Sequence, residues 1–413
     1  MRKQAEVGDD NRIKIIPEYG RQRLLSYAES FRDLADLFEQ DEEDLEHQDD
    51  HKKDNRLDYL WQRKLQENQE LLAEHLKEMA HIMAEVAKET CRYHPMGERR
   101  YRQMSKLLKE SGILLKNFFK LEHEDGHAEF SLTMRTASDK YMRIGEKEHI
   151  SIEDVADYIS VAMGNRLRVA KNAPMYLTSE WNTYYFLEEP AYYLLTGVAK
   201  AVKETEKISG DNYSFYETDN GKMVVILSDG MGSGEKACSD SERVIEMMER
   251  LLEAGFRKES AMQMINGALT ATGKEDNMST LDICEMNLYT GECEFIKVGA
   301  ACTYIKRGRL VDRLSTQNFP LGVFGQLESE VLYRTLQSGD YVIMLSDGVL
   351  DALSQGIGEE ILPEVIGKME YSNPNEIANQ ILAYCLKQSN GQIRDDMTIL
   401  VTGIWEQTDD RNL

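Results

Sequence analysis

Twice in this chain a run of four apolar residues ends in the same three residues. Val224-Val225-Ile226-Leu227 runs into Ser228-Asp229-Gly230, and Val342-Ile343-Met344-Leu345 runs into Ser346-Asp347-Gly348. A short apolar run rich in β-branched residues and closed by a turn signal predicts a strand buried on both faces. Such strands need cover on each side, so the surrounding chain must supply layers. Hairpin signals fix the sense of the neighbours. Asn220-Gly221 separates Tyr213–Tyr216 from Met223–Leu227, and Asn-Gly favours a tight hairpin turn. Tyr289-Thr290-Gly291 and Arg307-Gly308 punctuate strands expected at Leu281–Leu288, Glu292–Val298, Cys302–Arg307 and Leu310–Leu314. Connections this short make neighbouring strands antiparallel. Further strands are expected at Tyr192–Val202, Tyr341–Leu345 and Met397–Ile404, and helices at Ala237–Ala254, Glu259–Thr272 and Pro374–Gln388. Two packed antiparallel sheets with helices outside is the architecture this pattern predicts for residues 189–407, followed by a tail at 408–413.

The first half reads differently. Leu24, Tyr27, Phe31, Leu34 and Phe38 step by three and four, and so do Leu72, Leu76, Met79, Met83 and Val86. Seams this narrow are coiled-coil-like. A further helix is expected from Glu98 through Tyr101, Met104, Leu108, Leu115 and Phe118, stopping at Asp125-Gly126. Residues 1–125 are therefore expected to be a helical segment, either a three-helix bundle within one chain or a stalk that pairs two chains into a homodimer. Residues 126–188 mix strand and helix signals, with Ser151 a candidate N-cap ahead of Ile152, Val155 and Ile159. They read as a small α/β connecting region.

Charge narrows the function. The chain has 49 Lys+Arg against 73 Asp+Glu, a formal net charge of −24. That balance argues against broad binding to nucleic acid or anionic lipid, both of which need clustered cations. No apolar run approaches the roughly 18 residues of a membrane span, and a cytoplasmic protein is expected.

One Asp-Gly is ordinarily a turn. Two, each closing a buried strand, suggest a shared edge. Asp211 starts another strand and Asp395-Asp396 precedes the last one, so four aspartates can gather at one end of the sandwich. Uncompensated, they repel. Oxygen donors without His or Cys favour Mg²⁺ or Mn²⁺ over Zn²⁺. Two such ions suit the in-line displacement of phosphate-ester hydrolysis. The glycines of Asp229-Gly230-Met231-Gly232-Ser233-Gly234 match neither a P-loop nor G-x-G-x-x-G, and read as backbone approaching a metal or phosphate.

Ser209–Ser214, Leu227–Gly234, Leu345–Gly348 and Asp395-Asp396-Met397-Thr398 occur in that order, with Met278–Asp282, Lys297–Ala300, Ile305–Gly308 and Asn318–Gly322 between them. This set resembles the bacterial PPM-type, metal-dependent serine/threonine phosphatases, and within them the sporulation branch, over about residues 192–405. The resemblance implies an α-β-β-α sandwich holding two Mn²⁺ or Mg²⁺ ions. It implies Asp229 as the ligand bridging both ions, the Gly230 carbonyl as a ligand of one, and Asp211, Asp347 and Asp395 completing the site. Asp395 rather than Asp396 matches the family element. The implied substrate is a phosphoserine anti-anti-sigma factor, whose dephosphorylation frees a sporulation sigma factor, and the implied regulator is the upstream segment, acting through the helices expected at Ala237–Ala254 and Glu259–Thr272. No equivalent of the phosphate-gripping arginine of many eukaryotic members stands out, and Lys207 is the substitute considered. The sporulation relative begins with a multi-spanning membrane segment that has no counterpart here. A non-catalytic partner-switching scaffold on the same fold is the alternative, set against four intact aspartates.

Overall fold

The computed structural model describes residues 94–407 apart from 123–126, 138–149, 171–172, 219–220, 255, 272–277, 324–326, 328, 354–357 and 371–372, together with 76–84, Ala28 and Arg32. The chain divides into two units, 1–37 with 79–189 and 38–78 with 190–413.

In the first unit, β1 (His94–Pro95), α1 (Glu98–Glu110), β2 (Ile113–Glu122), β3 (Ala128–Thr136), α2 (Ile152–Met163), β4 (Leu167–Val169) and β5 (Asn182–Glu188) follow in chain order. Their strands make one antiparallel sheet, ordered β1-β2-β3-β5-β4. Met104 and Leu108 of α1 and Val155 and Ile159 of α2 pack with Phe118, Phe130, Leu132, Tyr184 and Phe186 of the sheet. Ser151 caps α2 as expected, its hydroxyl accepting from the Glu153 amide at 3.2 Å.

The helix expected to run through Leu115 and Phe118 ends at Glu110, and 113–122 is a strand. The pairing of β2 with β3 shifts between Leu115 and Asn117. This bulge turns the Ile113/Leu115 alternation into a step of three to Phe118, which imitates helical spacing. A helical segment over 1–125 joined to an α/β region over 126–188 is therefore not the division observed, because β1 and β2 share a sheet with β3, β4 and β5. Most of the two helical seams (24–38, Leu72 and Val86) lies outside the described residues, as do Asp125-Gly126 and Asn220. Within helical residues 76–84 the buried positions are Glu78, Ala80 and Ala84, whereas Met79 is exposed. Met83 packs against Ala28, Ala80 and Ala84.

The second unit is a four-layer sandwich. One sheet contains β7 (Asp211–Glu217), β8 (Lys222–Asp229), β9 (Leu281–Asn287), β10 (Glu292–Val298) and β13 (Glu330–Thr335), ordered β13-β10-β9-β8-β7. The other contains β6 (Tyr192–Ala201), β11 (Thr303–Arg307), β12 (Leu310–Leu314), β14 (Tyr341–Leu345) and β15 (Met397–Glu406), ordered β12-β11-β14-β15-β6. Every pairing is antiparallel. Val225, Leu227, Cys284 and Phe295 of the first sheet meet Ile305, Val342, Met344 and Leu400 of the second in the layer between them. The long helices α3 (Gly234–Glu253) and α4 (Lys258–Ala271) cover the first sheet through Val244, Met248, Met262 and Ile265. After the short α5 (Asp347–Asp351), α6 (Gly358–Lys368) and α7 (Pro374–Gln388) cover the second through Leu362, Ile366, Ile377 and Ile381. Both Ser-Asp-Gly strands, β8 and β14, are apolar on both faces because the opposite sheet covers one face and helices cover the other.

Candidate metal centre

Register brings the first pair of carboxylates together. β7 and β8 are antiparallel, and Asp211, at the start of one, lies directly opposite Asp229, at the end of the other. The second pair comes from the other sheet. Leu345 pairs with Ile399 at one end of β14 and β15, so Asp347, two residues beyond Leu345, and Asp395, just before Met397, emerge at that same end. The structure thus gathers all four sequence-predicted aspartates at one edge of the sandwich, two from each sheet.

Backbone bonds fix the first device. The Asp229 amide donates to Thr280 Oγ1 at 2.9 Å, and its carbonyl accepts from the Thr280 amide at 2.8 Å and from Ser279 Oγ at 2.9 Å. The Gly230 amide donates to the Gly210 carbonyl at 3.3 Å, joining the two aspartate-bearing loops. Both glycines of the Asp-Gly pairs are dictated by close approach. A Cβ on Gly230 would lie 2.1 Å from the Ala237 carbonyl oxygen in α3, and one on Gly348 would lie 2.2 Å from the Asp396 carbonyl oxygen. Neither obstacle is a flexible side chain. Gly230→Ala is accordingly expected to lower the melting temperature by several degrees, since overpacking costs about 1–3 kcal/mol. Thermal unfolding by circular dichroism measures it.

Electrostatics single out the cluster. Asp211 is 0% exposed, and neither of its carboxylate oxygens has a hydrogen-bond partner among the described residues. Burial pushes its pKa up, against the pull of the nearby Thr398 and Ser346 hydroxyls. Burial pushes Asp229 up as well, and the charges of Asp211 and Asp347 add to it. Asp347 is raised by burial and then by the charges of Asp395 and Asp351. A carboxylate cluster this short of positive charge accommodates a cation. Its all-oxygen donors suit a hard divalent ion, and the orphaned Asp211 oxygens are the kind of buried group such an ion satisfies. Among the described residues no three acidic, His or Cys side chains close around one point, so side chains must shift for an ion to gain three side-chain ligands.

Asp395 and Asp396 do different work. Asp395 faces the cluster and lies 3.7 Å from Lys203 Nζ. Asp396 is buried, and its carboxylate accepts from the Lys203 amide at 2.9 Å and the Gly210 amide at 2.7 Å. It staples the segment that leads into Asp211. Lys207, the cation considered from sequence, is exposed, and Lys200 and Lys203 stand nearer the cluster. Lys200 Nζ donates to the Asp211 carbonyl at 2.5 Å. Sequence reasoning also passed over Thr280, Ser346 and Thr398, whose hydroxyls line or brace the site. Only the places of Ser346 and Thr398 near Asp-Gly and Asp-Asp could have flagged them, and Thr280 carries no such signal.

The chain is similar in sequence and fold to known proteins. The family model described as stage II sporulation protein E (SpoIIE) matches residues 219–404. Stage II sporulation protein E of Bacillus subtilis (strain 168) is 28% identical over 347 residues, covering 84% of this chain and 41% of that protein. The chain therefore spans less than half the length of that relative. Phosphoserine phosphatase RsbU of the same organism is 20% identical over 200 residues, 48% of this chain and 59% of that protein. The solved structure of the PP2C phosphatase domain with a fragment of the regulatory domain of SpoIIE from Bacillus subtilis aligns with a TM-score of 0.57 and 28% identity, over 84% of this chain and 99% of that one. Residues 219–404 thus match the stage II sporulation protein E family model, and the chain shares the fold of a PP2C phosphatase domain from that family.

Proposed function

We propose that this chain is a metal-dependent protein phosphatase that removes phosphate from a phosphoserine of an anti-anti-sigma partner, and so acts in sporulation sigma-factor control. The observation that carries the reading is the edge where Asp211, Asp229, Asp347 and Asp395 meet from two sheets, with the buried Asp211 carboxylate unpaired. Those four side chains and the Gly230 carbonyl would hold two Mn²⁺ or Mg²⁺ ions. When bound, such a pair neutralises a phosphoryl group and lowers the pKa of water. The protein's part is to hold the ligands apart on two rigid sheets until the cation draws them in. The likeness to a phosphoserine phosphatase supports the substrate class. The N-terminal helices are proposed to pair two copies of the chain, which light scattering at tens of micromolar tests.

The deciding assay is phosphate release from a phosphoserine anti-anti-sigma protein with Mn²⁺ and with chelator. Release that needs the metal is expected, together with a kcat/KM at least about a hundredfold higher on the phosphoprotein than on a chromogenic phosphate ester. Remote contacts on a folded partner contribute to orientation that a small ester lacks. Equal values on both substrates would mark a generic phosphatase. Release that persists in chelator would remove the metal from the proposal.

A further inference from the structure

The layer between the two sheets of the C-terminal unit is apolar except at one end. Along β9 the inward positions run Met286, Cys284, Asp282, and along β10 they run Cys293, Phe295, Lys297. The ladder sets Lys297 opposite Asp282, and Asp282 opposite Leu227, two residues before Asp229. Asp282 is 1% exposed and Lys297 0%. Lys297 Nζ donates to Asp282 Oδ2 and, at 2.9 Å, to Thr303 Oγ1. Thr303 belongs to the opposite sheet and donates to the same Asp282 Oδ2 at 2.9 Å. A buried ion pair gives little net stability, because desolvating two charges offsets most of their attraction. This pair sits beside the aspartate cluster.

One oxygen of Asp282 is therefore doubly bonded. The other, Oδ1, is equally buried and has no hydrogen-bond partner among the described residues. Asp282 lines a cavity of about 20 Å³ together with Asp229, Thr280, Ser346 and Asp347. That is space for one water, and a buried water needs two to four polar partners. Carboxylates and hydroxyls supply them here.

We propose that Asp282 holds a single buried water against Asp229 and Asp347, and that this water positions whichever of those two carboxylates accepts its second proton. The role in catalysis rests on their reading as metal ligands. The water gives one proton to Asp282 Oδ1 and the other to a carboxylate oxygen of Asp229 or Asp347. Thr280 Oγ1 accepts from the Asp229 amide at 2.9 Å, and its own proton is available to the water oxygen. Lys297 and Thr303 fix Asp282, so one proton of the water has a fixed acceptor. Asp282 is a positioning residue, acting through the water and not on the substrate. Outer partners of this kind change metal affinity by about 10–100-fold.

The test replaces the ion pair by apolar side chains in the full chain, Asp282→Leu with Lys297→Met, an exchange that buried ion pairs often tolerate. Calorimetric titration with Mn²⁺ is expected to give a Kd weaker by about tenfold or more. The metal-free melting temperature stays equal or rises, and kcat falls with KM for the phosphoprotein unchanged. An Mn²⁺ Kd within twofold of the parent overturns the proposal and leaves the pair as a clamp between sheets. The second measurement does not depend on the variant folding. A high-resolution crystal structure of the parent chain should show a water about 2.6–3.2 Å from Asp282 Oδ1, and a dry cavity overturns the proposal. Failure of the underlying reading looks different: Asp229→Ala would then bind Mn²⁺ as tightly as the parent, wherever the water lies.

Discussion

Asp229→Ala will abolish metal-dependent phosphate release and, in the same protein, raise the melting temperature of the metal-free form at neutral pH. The loss of activity is expected to be at least about a thousandfold, the scale of removing a group that stabilises charge in the transition state. The gain in stability follows from the carboxylate cluster. Burial and the neighbouring Asp211 and Asp347 raise the folded-state pKa of Asp229 above its unfolded value. Above an ordinary Asp pKa of about 4 the unfolded chain has released this proton and the folded chain still holds it. The folded state then binds more protons, so stability falls as pH rises through the interval between the two values. Removing the carboxylate removes that penalty. The melting temperature should rise by several degrees at pH 7.5, at roughly 2–4 °C per kcal/mol for a domain of this size. The difference from the parent should nearly vanish at about pH 3, below the ordinary Asp pKa, where both states are protonated. Saturating Mn²⁺ should reverse the order, because only the parent retains the full ligand set. Calorimetric scans at the two pH values, with and without Mn²⁺, report all of this. A metal-free variant less stable than the parent at pH 7.5 would count against the repulsive cluster.

The second large effect separates two adjacent acids. Asp395→Asn should cut activity by about a hundredfold or more, since a neutral amide is a weaker ligand for a hard cation. It should leave the melting temperature unchanged or slightly higher, because the side chain is part of the cluster and 43% exposed. Asp396→Ala should do the reverse. It strips the Lys203 and Gly210 amides of their acceptor. Leaving buried donors unsatisfied costs about 1–3 kcal/mol each, so the melting temperature should drop by several degrees. Some activity is lost too, as the strand carrying Asp211 loosens. Thermal scans and Mn²⁺-dependent turnover on both variants decide which acid serves the site. Interchanged phenotypes would mean that the ligand is Asp396.

What could be read beforehand depended on how local its cause was. The Ser-Asp-Gly strands were legible because a strand buried on both faces writes its burial into consecutive residues, and β8 and β14 lie inside their sheets. Asp211 and Asp395 were legible as members of an ordered set of motifs. Their meeting with Asp229 and Asp347 depends on strand register, which no single segment encodes. β2 was misread because a bulge replaced the period of two by a step of three. β13 was missed because it is an edge strand, largely exposed, with the polar residues Glu330, Arg334 and Thr335. Lys297 was quoted only as part of a motif. It occupies the third place in an inward alternation after Cys293 and Phe295, and a lysine there is a sign of burial that composition alone does not give. The exchange of roles between Asp395 and Asp396 turns on one residue of register and required the hydrogen bonds to be seen.

The division of the four carboxylates between two sheets has a mechanical consequence. A cation held by Asp229 from one sheet and Asp347 from the other is a tie across the sandwich, and the distance it spans is set by the thickness of the apolar layer beneath. Phe295 and Met344 face each other's sheets in that layer. Widening or thinning it by a methylene or two should therefore register first as a change in how tightly the tie closes, well before the sheets come apart. Core substitutions far from the aspartates would then act as a tuning screw on ion affinity. Conversely, the ion would make the two halves of the sandwich unfold as one body where its removal lets them separate.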